Sequence, residues 1–446
     1  MADFIRDTLA DLRERGLYRR LRAVAPAGGP DPDADRRDAG ARFGTAGPRV
    51  RIDGREVLLF ASNNYLDLAD DPRVADALRR GLERWGWGAG ASRLLAGHTD
   101  AHAALEADLA AWLGAEAALV FPSGYTTNLG AVTALAGRSD TVVMDRACHA
   151  SLYDAVAMSR ARLVRYPPCD AAAATEALAA PFREKHGGSP RTLLVTDAVF
   201  SMDGRRAPLA DLMAAAEAHG AALLLDEAHA LGVLGDTGAG LAEEVLAEKD
   251  NAPRGHPERA KRAEESRRAK NVPDVFLRVG TLSKALGGVG GFVAASREVI
   301  DLLVNRARPF IYTTALPPAA CEATREALRI LRAEPQRRTR LHALSRHLRT
   351  RLREEGFDLG PAGAAGASEA DADRPPTPIV PVILGDPDRA LAAAAALLAR
   401  GIFCPAVRPP TVPAGTSRLR ISLTAGHTEE NLDRLVAALV AARDVP

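Results

Sequence analysis

The run RTLLVTDAVFSMDGRRAPLADLMAAAEAHGAALLLDEAHA, residues 191–230, decides the fold class. It sets two short apolar stretches, RTLLVTDAVF (191–200) and AALLLDE (221–227), on either side of the helix-patterned LADLMAAAEAHG. Strands that are apolar at nearly every position, rather than at alternate ones, are buried on both faces. Strands alternating with helices at this spacing build a parallel sheet with helices on each side. Working outward, the same rhythm returns in AALVF (117–121), TVVM (141–144), RLVRY (162–166), VFLRVG (275–280) and GGFVAAS (290–296). The expectation is an α/β protein with a mostly parallel seven-stranded sheet.

Three further regions flank that unit. Residues 3–24 read as an amphipathic, Arg-rich helix, followed by the loop-like APAGGPDPDADRRDAG, which makes residues 1–60 an N-terminal helix and linker arm. Residues 61–305 form the large domain. Within it, about 243–273 is highly charged and poor in apolar residues, as expected of a surface insertion. From about 306 to 446 the runs PIVPVILG and RLRISLT, with an Ala-rich helix between them, suggest a smaller α+β lobe, split by a linker at 361–376.

Composition excludes several classes of function. Basic and acidic residues number 58 and 57, a net charge of +1, which argues against a protein that coats nucleic acid. The longest apolar stretch, LAAAAALLA at 391–399, is too short to span a bilayer. The N-terminus lacks an apolar secretory segment, and four scattered cysteines show no ligand spacing, so a reduced cytoplasmic protein without structural zinc is expected.

Of the 58 basic residues only five are lysines: Lys185, Lys249, Lys261, Lys270 and Lys284. Arginine matches lysine in charge but does not lose its proton to become an amine nucleophile. Four of the five lie in charged surroundings. Lys284 alone sits among small and apolar residues, in VGTLSKALGGVGG, where desolvation favours the neutral amine that imine chemistry needs.

Asp226 ends an apolar strand within DEAHA, and ligands of open parallel sheets bind beyond the carboxyl ends of strands. Its roles there are helix cap, metal ligand or partner for a ligand cation. A P-loop ATPase is disfavoured because no Gly-Lys dipeptide occurs in the chain, and no further metal ligands gather nearby. The remaining specific option is a carboxylate paired with the ring nitrogen of pyridoxal phosphate. His149, in DRACHASLYD, lies at a strand-to-helix junction where capping is as natural as function. Gly124 and Tyr125 open a helix after AALVF, and helix N-termini bind phosphate. Thr281 and Ser283 add hydroxyls near the lysine. Arg408, in VRPPTVPAGTSRLRIS, carries a fork suited to a carboxylate.

The segments SNNYLDL, SGYTTN, DRACHASL, VFSMDG, LLLDEAH, GTLSKALGG and RPPTVPAGTSRLRISLTAGH resemble the α-oxoamine synthases, pyridoxal phosphate enzymes of fold type I, over about residues 60 to 440. The last segment is most similar to that of members condensing L-alanine with a pimeloyl thioester, carried on CoA or a carrier protein; members using glycine or serine are the alternative. The resemblance implies that Lys284 holds the cofactor as an imine, that Asp226 pairs with the ring nitrogen and that His149 stacks on the ring. It places Ser201 and His229 on the ring oxygen, and Gly124, Tyr125 and Thr281 on the phosphate. Asn63 and Arg408 would bind the amino-acid carboxylate, and Arg19 the acyl carboxylate. Thr313 and Thr314 would reach across a homodimer interface to the neighbouring phosphate. The chain departs from the family at Ala91 and His98, at Asp67 where glycine is usual, and in the 243–273 insertion.

Overall fold

The computed structural model describes residues 1–15, 17–27, 45, 47–180, 190–250, 273–361 and 374–443. Its centre is a sheet built from β4 (Ala117–Phe121), β5 (Thr141–Asp145), β6 (Arg162–Tyr166), β7 (Thr192–Asp197), β8 (Ala222–Asp226), β9 (Phe276–Thr281) and β10 (Gly291–Ala295). The order is β4-β10-β9-β8-β7-β5-β6, with β10 antiparallel to both neighbours and every other pair parallel. All seven expected strands form.

The inner strands are largely apolar because they feed two cores, whereas the edge strand β6 is mostly exposed. Leu223 and Leu225 of β8 face one apolar cluster, and Leu224 between them faces the other. Truncating a side chain as buried as Leu224 to alanine would cost about 2–5 kcal/mol. The helices that cover the sheet include α3 (Asp100–Leu113), α4 (Gly124–Leu135), α5 (Ala150–Ser159) and α7 (Leu209–Ala218).

The N-terminal arm differs from expectation. Helix α1 covers Ala2–Glu14 rather than 3–24; it buries no residue and stops just before Gly16, a residue type that favours helix ends. The arm also holds strands β1 (Val24–Pro26), β2 (Arg49–Ile52) and β3 (Arg55–Leu59), which pair antiparallel in that order. β3 then pairs in parallel with β12 (Ile402–Phe403). Val50, Ile52, Val57 and Leu59 make a small core of their own there, against Leu398 and Phe403.

Beyond residue 305 lie two long helices, α11 (Pro318–Ala333) and α12 (Gln336–Glu354), and a small antiparallel sheet. The sheet runs β11 (Ile379–Gly385), β14 (Ser417–Ser422), β13 (Ala406–Val407). The charged stretch expected as an insertion starts on α8 (Leu241–Asp250); residues 251–272, and 362–373 of the second linker, lie outside the described residues. Lys185, Lys261 and Lys270 lie outside them too.

Candidate active site

Parallel strands of a sheet present their carboxyl ends at one edge, and a cavity of about 250 Å³ opens there. Asp197 and Asp226, the last residues of β7 and β8, are register partners on adjacent strands and both line it. β9 ends at Thr281 and delivers Lys284 three residues later; β4 is followed at once by the first turn of α4. Gly124, Tyr125, His149, Asp226, His229, Thr281 and Lys284 therefore meet around one space although 160 residues separate the first from the last.

Lys284 is half-buried. Burial pushes its amine down to about 8; the Asp226 and Asp197 carboxylates oppose that fall and the Arg420 charge adds to it. Asp226 is fixed on both oxygens: Asn128 Nδ2 donates to Oδ2 at 2.7 Å and the Ala228 N–H to Oδ1 at 2.9 Å. His149 both caps and lines the cavity. Its Nδ1 accepts from the Ser151 N–H at 3.3 Å, opening α5, and contacts Ser151 Oγ at 2.7 Å. Desolvation lowers the His149 pKa, against the pull of Asp226. Asp197 accepts from the His149 N–H at 3.3 Å, and burial beside Asp226 holds its pKa well above the usual carboxylate range.

The first turn of α4 borders the cavity, and the N–H groups of a helix's first turn can receive an anion. Ser123 caps it, accepting from the Thr126 N–H at 3.2 Å. Strand β10 approaches so closely that a Cβ on Gly291 would lie 2.7 Å from Gly124 Cα. On the other side, a Cβ on Gly124 would meet the Thr281 side chain at 3.4 Å. Thr281 Oγ1 contacts Ser283 Oγ at 2.8 Å and donates to the Gly290 carbonyl at 3.1 Å. Tyr125 donates to Asp154 Oδ2 at 2.5 Å, so its hydroxyl has a protein partner.

A second group of polar side chains adjoins the first. Arg420, in buried β14, makes no ion pair among the described residues. Its Nη2 donates to Asn63 Oδ1 at 3.3 Å, its Nη1 to Ser422 Oγ at 2.6 Å, and its Nε to the Ser201 carbonyl. The Tyr65 hydroxyl lies 3.2 Å from Asn63 Oδ1 and 2.6 Å from His229 Nδ1. A buried guanidinium without a carboxylate is costly, so this one is placed to receive an anion.

Several expected residues lie elsewhere. Ser201 is buried but outside the cavity lining, and its carbonyl serves Arg420. Arg408 is half-buried beyond β13; the guanidinium that meets Asn63 is that of Arg420. Arg19 is exposed. Thr313 and Thr314 lie outside the lining too, Thr314 exposed and bridged to Ser92. Asn128, Ser151, Asp197, Tyr65 and Arg420 escaped the sequence reading. Signals existed for three: Asp197 ends its strand as Asp226 does, Asn128 follows Gly124 by one helical turn, and Arg420 lies between Leu419 and Ile421. Asp67 has φ 58, a left-handed conformation that aspartate tolerates and glycine enters freely.

The aminotransferase class I and II family model matches residues 55–439. An 8-amino-7-oxononanoate synthase of Anaeromyxobacter dehalogenans (strain 2CP-1 / ATCC BAA-258) is 45% identical over 440 residues, 98% of this chain and 95% of that protein. The chain belongs to the 8-amino-7-oxononanoate synthase family. Among solved structures, a serine palmitoyltransferase from Sphingomonas wittichii is similar at 31% identity and TM-score 0.75, covering 89% of each chain. A serine palmitoyltransferase from S. paucimobilis, with PLP bound to myriocin, is similar at 29% identity and TM-score 0.79, covering 99% of this chain and 98% of that one.

8-Amino-7-oxononanoate synthases are pyridoxal phosphate enzymes, and the cavity fits that cofactor. It offers an amine of lowered pKa for the aldehyde, a fixed carboxylate for the ring nitrogen and a close-packed helix N-terminus for the phosphate. No helix among the described residues is long and apolar enough to cross a membrane.

Proposed function

We propose that the chain condenses L-alanine with a pimeloyl thioester, on CoA or a carrier protein, to 8-amino-7-oxononanoate, CO2 and free thiol, as a step of biotin biosynthesis. The observation that carries this reading is one cavity uniting an amine of lowered pKa with a strand-end carboxylate, in a chain 45% identical to a protein of that name.

Pyridoxal phosphate, when bound, supplies an aldehyde for Lys284 and a ring that accepts the electrons released at the amino-acid Cα. Lys284 Nζ is the covalent anchor. The same side chain, as a neutral amine beside the amino-acid Cα, would take the Cα proton as general base. Asp226, held by Asn128 and the Ala228 N–H, keeps a proton at the ring nitrogen. His149 would cover the ring face, His229 would attend the ring oxygen with Ser201 behind it outside the cavity lining, and Gly124, Tyr125 and Thr281 would hold the phosphate. Asn63 and Arg420 hold the alanine carboxylate, with Arg408 as a second cation for it. Cα then bonds to the thioester carbonyl carbon, the C–S bond breaks and the thiolate leaves. The β-keto acid sheds its carboxylate as CO2, and Lys284 returns a proton to Cα.

We also propose a homodimer. Trp87, Leu94, Leu95 and Tyr312 are exposed apolar side chains, and the Ser92–Thr314 bridge joins the segments that carry them. Pairing there would bring Thr313 and Thr314 to the partner's phosphate, and Arg19 would meet the acyl carboxylate. The same reading places the enzyme in the cytoplasm and treats 1–60, 61–305 and 306–446 as arm, large domain and small domain.

Turnover measured with alanine, glycine and serine against acyl-CoAs of several lengths tests the function. Alanine with pimeloyl-CoA should lead. Preference for glycine with acetyl-CoA, or for serine with a long acyl chain, would sink this reading.

A further inference from the structure

Tyr65 is fully buried, follows the SNN segment directly and touches both halves of the site. Its hydroxyl oxygen lies 2.6 Å from His229 Nδ1 and 3.2 Å from Asn63 Oδ1. With Nδ1 engaged there, Nε2 is the ring nitrogen left for a ligand of the cavity that His229 lines. The hydroxyl carries one proton for two acceptors, and its placement decides the tautomer of the histidine.

The distances decide the placement. The contact to Nδ1, at 2.6 Å, is much shorter than the 3.2 Å contact to Asn63 Oδ1, and a neutral imidazole nitrogen is the better acceptor of the two. The proton therefore lies on the short line from Tyr65 to Nδ1. Asn63 Oδ1 is a weaker second acceptor, and it already accepts from Arg420 Nη2 at 3.3 Å. With Nδ1 accepting, a neutral imidazole carries its proton on Nε2, facing the cavity. Neutrality is secured independently: burial drives the His229 pKa well below its usual value, and Lys284, Arg420 and His149 add to that. Burial also raises the Tyr65 pKa to about 12, so the hydroxyl keeps its proton at neutral pH.

We propose that Tyr65 is a positioning residue that locks His229 as the Nε2–H tautomer, aims that donor into the cavity, and ties it to the Asn63–Arg420 clamp. The proposal rests on the reading of His229 as the partner of the cofactor's ring oxygen, and it explains why a tyrosine hydroxyl is buried between two groups of separate duty.

The test is a long-range proton–nitrogen NMR spectrum of cofactor-free protein labelled with ¹⁵N in its histidine rings, with His229→Asn to assign the signal. Wild type should show His229 protonated on Nε2 alone. Tyr65→Phe, which keeps the ring and loses the hydroxyl, should move the signal to averaged tautomers. In the loaded enzyme it should lower kcat about tenfold, as expected for one lost buried hydrogen bond. A wild-type Nδ1–H tautomer, which needs no variant to observe, overturns the proposal. So does a His229 signal unchanged in Tyr65→Phe. The spectrum contains neither cofactor nor substrate, so failure of the alanine and pimeloyl reading would appear in the turnover panel and leave the tautomer as it is.

Discussion

The cofactor side and the carboxylate side of this site are built by different means. On the cofactor side, Asp197, Asp226 and Lys284 stand at or just past the ends of adjacent strands, and α4 begins one turn after β4. On the carboxylate side, Asn63 and Arg420 meet across 357 positions, one from a loop and the other from the small sheet. The first half is fixed by strand register within one rigid core. The second depends on how the small sheet seats against the large one. Chemistry that needs sub-ångström placement falls on the first half, and recognition of a free carboxylate falls on the second.

Breaking the cofactor side should therefore cost most in kcat. Lys284→Ala removes both the covalent anchor and the base, with an expected loss of about 10⁴-fold or more in turnover and loss of the visible absorption of the loaded enzyme. Normal turnover of alanine by that variant would refute the assignment. The lowered pKa sharpens the same point in cofactor-free protein. An amine titrating at about 8 should capture pyridoxal phosphate about tenfold faster per pH unit as pH rises toward 8, and level off above it. A rate still climbing tenfold per unit beyond pH 9 would show an ordinary lysine. Asp226→Asn comes next: about 10³-fold in kcat, with little change in KM for alanine, because the ring nitrogen loses its anionic partner and the carboxylate clamp keeps its own.

The comparison also explains what was legible in the sequence. Six strands of the large sheet were readable because burial writes a mostly apolar run, and the exposed edge strand β6 from its place in the strand–helix rhythm. Lys284, Asp226 and Gly124 followed from their offsets to those runs. β2 and β3 form a hairpin across Asp53–Gly54, a turn signal the sequence does carry; what it hides is the pairing of β3 with β12, more than 340 residues away. Arg420 was passed over for Arg408 because both are arginines in a proline- and arginine-bearing segment, and nothing local says which guanidinium turns inward. The left-handed backbone at Asp67 is likewise a tertiary demand, invisible in one chain except as a residue that tolerates it.

Weakening the carboxylate side should act on binding more than on rate. Arg420→Lys keeps a charge but loses the rigid fork that engages Asn63, Ser422 and the Ser201 carbonyl together. The expected outcome is a KM for alanine raised about 10- to 100-fold, with kcat reduced less. Arg408→Lys should raise it by a smaller factor. If the two variants are reversed in severity, the clamp has been assigned to the wrong guanidinium while the cofactor side stands.

The smallest expected effect probes the seam by which the core itself shapes the cofactor side. Gly291 lies in β10, and a methyl group there would sit 2.5 Å from Thr127 Oγ1 and 2.7 Å from Gly124 N and Cα. Backbone cannot yield as a flexible side chain does, so α4 must retreat from the sheet. Gly291→Ala should cost about 1–3 kcal/mol of stability, read as a lower melting temperature. It should also weaken pyridoxal phosphate, since the first turn of α4 moves relative to Thr281. KM for alanine in cofactor-saturated enzyme should stay near its wild-type value, because Asn63 and Arg420 are carried by other elements. A variant that lost alanine binding as steeply as cofactor binding would show the two halves to be one mechanical unit, and the contrast between strand-end and cross-lobe construction would then describe only their origin in the chain.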